Sequence, residues 1–307
     1  MKKTILALAG LFAILLALTY LLIPSELSIN EKTLIDSPPD ALFRKLQDRD
    51  NWKNWWPDSS SGLRWKENEY TIEKILVNRF ELRTTLATAQ VESLIALNMA
   101  DSNRAEVNWS THLKTDLNPI TRIRQYLLFK ECRSSFQELL QKMSAHYNQI
   151  ENVYGFPIRI EQVPFRFATA WKRSTSQKPT VADIYTMVDS IRTYIQRTGG
   201  RVAGDPMVYT TLLDPLSYEI QVAIPTETKL PESGPFTSKW FLKGGLIVVA
   251  DVNGGPATIE EAMHQVDLFV SDQRRGRVAI PFQGLSSDRR VTTDTALWRT
   301  RIYFPII

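Results

Sequence analysis

The chain has 307 residues, of which 43% are hydrophobic and 23% charged. That balance excludes a disordered chain and suffices for two domains, each with a core of its own. The formal net charge of +4 is small and spread along the sequence, and no DNA-reading helix pair, zinc finger or RNA platform can be read in it, so no nucleic-acid partner is expected. The one cysteine, Cys132, excludes an intramolecular disulfide framework and a cysteine metal cluster.

The chain opens with Lys2 and Lys3 ahead of an apolar run from Ile5 to Ile23, broken only by Gly10, Thr19 and Tyr20. Such a run just spans a bilayer as a helix, so residues 1–24 are read as a membrane anchor that meets lipid through residues 4–23. The paired lysines favour a cytoplasmic amino terminus. The expected location is therefore a bacterial inner membrane, crossed once, with the rest of the chain outside the cytoplasm. A cleaved signal peptide is the alternative, because it shares the charged start and apolar centre. Leu21-Leu22-Ile23-Pro24 offers no small-residue cleavage pair, and that favours the anchor.

Residues 25–152 read as a first soluble domain. Ser25 to Ile35 alternates like a strand, and Pro38-Pro39-Asp40 opens a short helix, where the missing proline donor costs nothing. After Trp52-Lys53-Asn54-Trp55-Trp56-Pro57 come strand-like runs at Tyr70 to Val77, Arg79 to Thr85, Glu92 to Asn98 and Arg104 to His112. A closing helix is expected around Ser134 to Ile150, because Phe136, Leu139, Leu140, Met143 and Tyr147 share one face. A strand, a helix, several strands and a final helix describe an α+β sheet curled over a long helix.

The segment Pro38-Pro39-Asp40-Ala41-Leu42-Phe43, followed by Trp52, Trp55, Trp56 and Pro57, resembles the START-like, polyketide-cyclase-like superfamily with its helix-grip fold. The resemblance covers about 125 residues and implies a cavity for a hydrophobic ligand. It implies no particular chemistry, since binding proteins and catalysts share the fold. By themselves, the tryptophans read first as core that anchors the helix to the sheet.

Residues 153–307 say the same thing twice. Gly200-Arg201-Val202-Ala203 returns as Gly276-Arg277-Val278-Ala279. Before each copy lies an amphipathic helical pattern, Val181 to Arg197 and Ile259 to Gln273, with Thr180…Asp183 and Thr258…Glu261 as expected capping boxes. Each helix is preceded by a β-rich run, Phe165 to Trp171 and Leu246 to Val252. Each copy is followed by a strand ending in proline, at Pro225 and Pro305. The order strand-helix-strand-strand therefore occurs twice, over about 157–226 and about 239–307, with a ligand cleft expected between the copies.

This half resembles the effector-binding domain of multidrug-responsive regulators, also called the gyrase-inhibitor-like domain. The likeness rests on the repeated order, on Ile158-Arg159-Ile160-Glu161-Gln162-Val163-Pro164, and on the closing Trp298-Arg299-Thr300-Arg301-Ile302-Tyr303-Phe304-Pro305-Ile306. It implies a cleft for flat hydrophobic compounds, walled by aromatics with an acidic residue at its base. In some relatives it implies hydrolysis of electrophiles through a glutamate and a tyrosine. The sequence departs where the family's glutamate falls, because Arg301 stands there and can serve neither as a base nor as a counter-charge to a cation. Glu219, in the matching strand of the first copy, could supply a carboxylate. The ligand-binding candidates are Trp171, Tyr209, Glu219, Trp240, Trp298, Arg301 and Tyr303, each of which also reads as core or as a solvated strand face.

Other chemistry has little to stand on. Phosphate loops, dinucleotide loops and nucleophile elbows are missing from the sequence. His112, His146 and His264 stand apart, with no metal-ligand spacing, so no metal or cofactor is expected. Arg274, Arg275, Arg277, Arg289 and Arg290 read as a solvated face, or as a contact for phosphate or anionic lipid. The expectation is a membrane-anchored binder of small hydrophobic or amphipathic compounds, acting through an unidentified protein partner if it is a sensor. The rivals are a hydrolase using Glu219 and Tyr303, and an interaction scaffold whose clefts its own side chains fill.

Overall fold

The computed structural model describes residues 2–60, 62–86 and 89–307, with the side-chain environments of residues 2, 3 and 5–7 outside that description. By internal contact the chain divides into two units, Met1–Gln149 and Ile150–Ile307. Both are α+β with antiparallel sheets.

The first unit opens with α1 (Lys2–Leu22). Among the described residues no helix is long and apolar enough to cross a membrane. The expected span at 4–23 lies partly outside the described side chains. After α1 come β1 (Glu26–Ile35), α2 (Pro39–Leu46), β2 (Leu63–Trp65), β3 (Asn68–Leu76), β4 (Arg79–Thr85), β5 (Gln90–Met99), β6 (Ala105–Lys114) and α3 (Pro119–Tyr147). The strands form one antiparallel sheet in the order β1-β6-β5-β4-β3-β2. Alternation along β6 buries Val107, Trp109 and Thr111 on the face that meets α3.

α3 begins well before the Ser134 expected from periodicity. Asn118 caps it, its side-chain oxygen accepting from the Ile120 and Thr121 amides at 2.9 and 3.3 Å, and Pro119 takes the first helical position. The apolar periodicity misses this half because it buries little. Ile120, Ile123 and Leu127 are exposed, whereas Phe136, Leu139, Leu140 and Met143 farther along are fully buried.

Aromatic rings fill the space between α3 and the sheet. Trp109 stacks on Phe136 with ring centroids 4.2 Å apart, and Trp56 lies 5.0 Å from Tyr70. A 3₁₀ turn over Arg49–Asn54 delivers Trp52 into this cluster. Its ring nitrogen donates to the Leu46 carbonyl at 2.7 Å. Trp52, Trp55 and Trp56 are thus core.

The second unit runs α4 (Ile150–Tyr154), β7 (Ile158–Gln162), β8 (Phe167–Thr175), α5 (Val181–Arg197), β9 (Met207–Asp214), β10 (Ser217–Thr226), β11 (Phe236–Trp240), β12 (Leu246–Asn253), α6 (Pro256–Asp272), β13 (Phe282–Leu285) and β14 (Arg299–Pro305). Its eight-stranded sheet has the order β11-β8-β10-β9-β13-β14-β12-β7. Strands β8, β10 and β9 mirror β12, β14 and β13 about a seam where Met207 pairs with Gly284 and Val208 with Gln283. The outermost strands are exchanged. β7, which leads the first repeat, pairs with β12 of the second, and β11, which leads the second, pairs with β8 of the first. The repeated Gly-Arg-Val-Ala phrase does the same work in both copies, bridging Val202 to Thr226 and Arg277 to Ile306 at the ends of β10 and β14.

α5 carries its expected capping box, with Thr180 Oγ1 accepting from the Asp183 amide at 3.2 Å and Asp183 accepting from the Thr180 amide at 2.9 Å. The second expected box does not form. α6 starts earlier, with Gly255 as its cap and Pro256 at its first position, and Thr258 falls inside the first turn. Proline's fixed φ and missing donor suit that position, so the helix extends back to it. α5 and α6 cover one face of the sheet. Ile184, Val188 and Ile191 pack there on Ile220, Val222 and Ile224, and Gln283 meets Met263 at 3.6 Å.

Candidate functional site

Side chains alternate along each strand, so what points away from α5 and α6 forms a second surface. It carries an apolar patch of Ala168, Ala170, Met207, Ala223, Ile247 and Val249, overlain by Phe241, Phe282 and Tyr303. Beside this patch lies a recess of about 390 Å³. Met207, Tyr209, Gln221 and Ala223 form its floor on β9 and β10. Lys239, Trp240 and Phe241 wall one side, and Ala279, Ile280 and Phe282 the other. The recess therefore draws on both repeats and on the exchanged strand β11. Phe241 meets Phe282 edge-on at 6.2 Å, and Phe282 stacks on Tyr303 at 4.9 Å. That stacking needs Gly284, where a Cβ would come within 2.9 Å of the Tyr303 ring.

The polar side chains at the recess are the Tyr209 hydroxyl, the Gln221 amide and the Lys239 ammonium. Lys239 has no ion-pair partner among the described residues. No carboxylate lines the recess. Apolar walls with a few convergent polar groups define a small-molecule site, and the single free charge is positive. Among the described residues no group of three His, Cys, Asp or Glu side chains could hold a metal ion.

The seven candidates named from sequence separate. Tyr209 and Trp240 line the recess, Trp240 with 64% of its surface exposed. Tyr303 supports it from behind Phe282, and burial pushes its hydroxyl pKa up against the opposing Arg301 charge. Glu219 shares the open face with Gln221 but is bound to Lys172, with Oε2 2.6 Å from Nζ. Arg301 is on that face too, with Nε 2.7 Å from Asp251 Oδ1, and this bond holds its pKa above the usual guanidinium value. Trp171 and Trp298 lie elsewhere. Trp171 is on the helix-covered face, edge-on to Phe236 at 5.9 Å. Trp298 is buried beneath the Arg289 guanidinium at 4.6 Å, its ring nitrogen donating to Thr292 at 2.8 Å. Aromatic identity alone could not separate the two faces, because residues of either parity carry large rings.

Sequence reasoning missed Met207, Lys239, Phe241, Ile280 and Phe282. The signal for Ile280 was present, since it directly follows the second copy of the repeated phrase. Lys239 and Phe241 sit on and after β11, the short edge strand exchanged onto the first repeat, which the repeated phrase and its flanking strands did not mark.

Within the arginine cluster, Arg277, Arg289 and Arg290 are not free cations. Arg290 is held by Asp189 and Asp288 at 2.6 and 2.7 Å, and Arg277 pairs with Asp267. Arg289 is buried, with a guanidinium nitrogen donating to Thr300 Oγ1 at 2.8 Å, and burial lowers its pKa.

No family model and no curated protein matches the sequence. Solved structures resemble parts of the chain. The EcmrR C-terminal domain is 11% identical with a TM-score of 0.42, over 50% of this chain and 98% of that one. The Zhui aromatase/cyclase of a Streptomyces species is 8% identical with a TM-score of 0.27, over 39% and 94%. The Aha1 dimer from Colwellia psychrerythraea is 14% identical with a TM-score of 0.31, over 40% and 96%. These likenesses are compatible with the α+β architecture described above and carry nothing about chemistry.

Proposed function

We propose that this chain binds small amphipathic compounds in the recess on the open sheet face of its second unit, as a sensor or sequestering protein. The observation that carries the proposal is the set of groups at the recess. Trp240, Phe241, Phe282 and Ile280 offer apolar area, and the one free charge is Lys239. A flat apolar body with a neutral or anionic polar group fits that set, whereas a cation would meet no carboxylate. Glu219, which could have set the opposite preference, is occupied by Lys172, and Arg301, a second cation on this face, is occupied by Asp251.

The same reading places the chain at a bacterial inner membrane through α1, with both units on the extracytoplasmic side. Its support is the run of outward-facing apolar side chains, including Leu8, Phe12, Leu15 and Leu22. Membrane flotation and protease protection in cells test that placement, and a chain recovered wholly in the soluble fraction would refute it.

The binding test uses the full chain and 1-anilinonaphthalene-8-sulfonate, a planar apolar anion. Its affinity should fall about tenfold, or about 1.4 kcal/mol, in Trp240→Ala. A dye affinity untouched by that substitution would remove the recess from consideration.

A further inference from the structure

α3 carries a surface that neither its own unit nor the recess explains. At 3.6 residues per turn, Ile120, Leu127 and Ile123 fall within one arc of about 60°. Ile120 is 68% exposed and Leu127 54%, and Leu117 just ahead of the helix is 82% exposed. Arg124 flanks this arc on one side, and Lys130, Tyr126 and Arg133 on the other. From 114 to 133 there are five basic and two acidic residues. Arg124 and Lys130 have no ion-pair partner among the described residues. Tyr126, Lys130 and Arg133 also line a recess of about 350 Å³. Glu26 shares that recess, Glu131 lies between the apolar arc and Arg124, and Arg133 is shared with Glu31 at 3.3 Å.

The face is continuous with α1. Arg122, buried at the first turn of α3, donates to the Ile23 carbonyl at 3.1 and 2.5 Å and lies 5.0 Å over the Tyr20 ring. The Tyr20 hydroxyl donates to the Leu117 carbonyl. The exposed apolar side chains of α1 therefore lead directly onto Leu117 and Ile120.

From this arrangement we propose that the first half of α3 is a lipid-contacting surface selective for anionic headgroups. An apolar stripe edged by long cationic side chains and an aromatic ring is the pattern that lies in a membrane interface. The stripe enters the acyl boundary while Arg124 and Lys130 reach headgroup phosphates. This contact is separate from the ligand recess and does not depend on it.

The test uses the full chain with one introduced thiol, Ile123→Cys, carrying an environment-sensitive fluorophore; Cys132 is buried and is not labelled. Vesicles of phosphatidylcholine, alone or mixed with phosphatidylglycerol, are the probe. The emission should shift to the blue on vesicles, more so with phosphatidylglycerol. Reversing Arg124→Glu and Lys130→Glu together should weaken that preference at least about tenfold. A second label at Leu15→Cys reports α1 by itself. If label 15 shifts and label 123 does not, or if neither shifts, the proposal fails. An equal response to both lipids overturns the anionic selectivity. A shift that follows protein concentration without vesicles assigns the face to a second copy of the chain and overturns the proposal as well.

Discussion

Arg301 and Asp251 stand directly opposite one another on β14 and β12, joined by two bonds, Nε to Oδ1 at 2.7 Å and Nη2 to Oδ2 at 3.3 Å. Arg159 on β7 reaches the same carboxylate at 2.7 Å and pairs with Glu161 at 2.5 Å. The residue that replaces the glutamate implied by the family resemblance is thus the end of a four-membered ion network. It spans three strands, one of them the exchanged β7.

The network makes stability depend on pH. Burial raises the Asp251 pKa, but bonds from Arg301 and Arg159 outweigh it and hold the value below the ordinary one. A carboxylate whose folded pKa is depressed contributes fully above its unfolded value, near 3.9, and loses that contribution as pH falls through the folded value. Asp251 is nearly half exposed, so screening limits the effect to about 1 kcal/mol. Urea midpoints of wild type and Asp251→Asn should therefore differ at pH 7 and converge as the pH falls below about 4. A gap that persists in acid would assign the loss to packing.

Charge at the recess should set ligand preference. Lys239→Glu replaces the one free cation with an anion, on a strand residue exposed to solvent. Affinity for 1-anilinonaphthalene-8-sulfonate should fall about tenfold while a planar cationic dye gains, with the melting temperature nearly constant. Equal losses for both dyes would show that the charge plays no part in selection.

The two helix starts should respond differently to the same substitution. Thr180→Ala removes a cap bonded in both directions and should cost about 1 kcal/mol. Thr258→Ala sits within the first turn of a helix already begun at Pro256, so it should change stability by less than about 0.5 kcal/mol. Equal costs in chemical denaturation would contradict the helix start at Pro256.

Trp52 should be the most sensitive of the three clustered tryptophans. It is fully buried, bonded to Leu46, and within 6.3 Å of Trp55, Trp56 and Phe80. Trp52→Ala should cost about 3–5 kcal/mol. Trp52→Phe keeps ring contacts but leaves the Leu46 carbonyl unpaired, for about 1–3 kcal/mol. Near-ultraviolet circular dichroism with urea titration distinguishes these outcomes, and a mild Trp52→Ala would mean that the cluster has room to collapse.

Local pattern alone was sufficient for much of the fold. Alternation located most of the strands, and a 3.6-residue stripe together with Thr180 and Asp183 placed α5 over Val181–Arg197. The repeated phrase marked the duplication, because each copy must bridge to the end of its own last strand. These features depend on neighbours in the chain, and those are visible in the sequence.

Only the tertiary structure decided the rest. The exchange of β7 and β11 between repeats is a matter of long-range pairing, which local periodicity cannot express. It is that exchange which brings Lys239, Trp240 and Phe241 against Gln221 and Phe282 to make the recess. The strand parity that sends Tyr209 outward and Trp171 toward α5 depends on which face the helices cover. α3 began at Asn118 rather than near Ser134 because its first half buries little and so shows no core stripe. Local periodicity records which side of a single element is buried; which distant strands pair, and so which side chains meet in the recess, is fixed by contacts far apart in the chain that leave no local period.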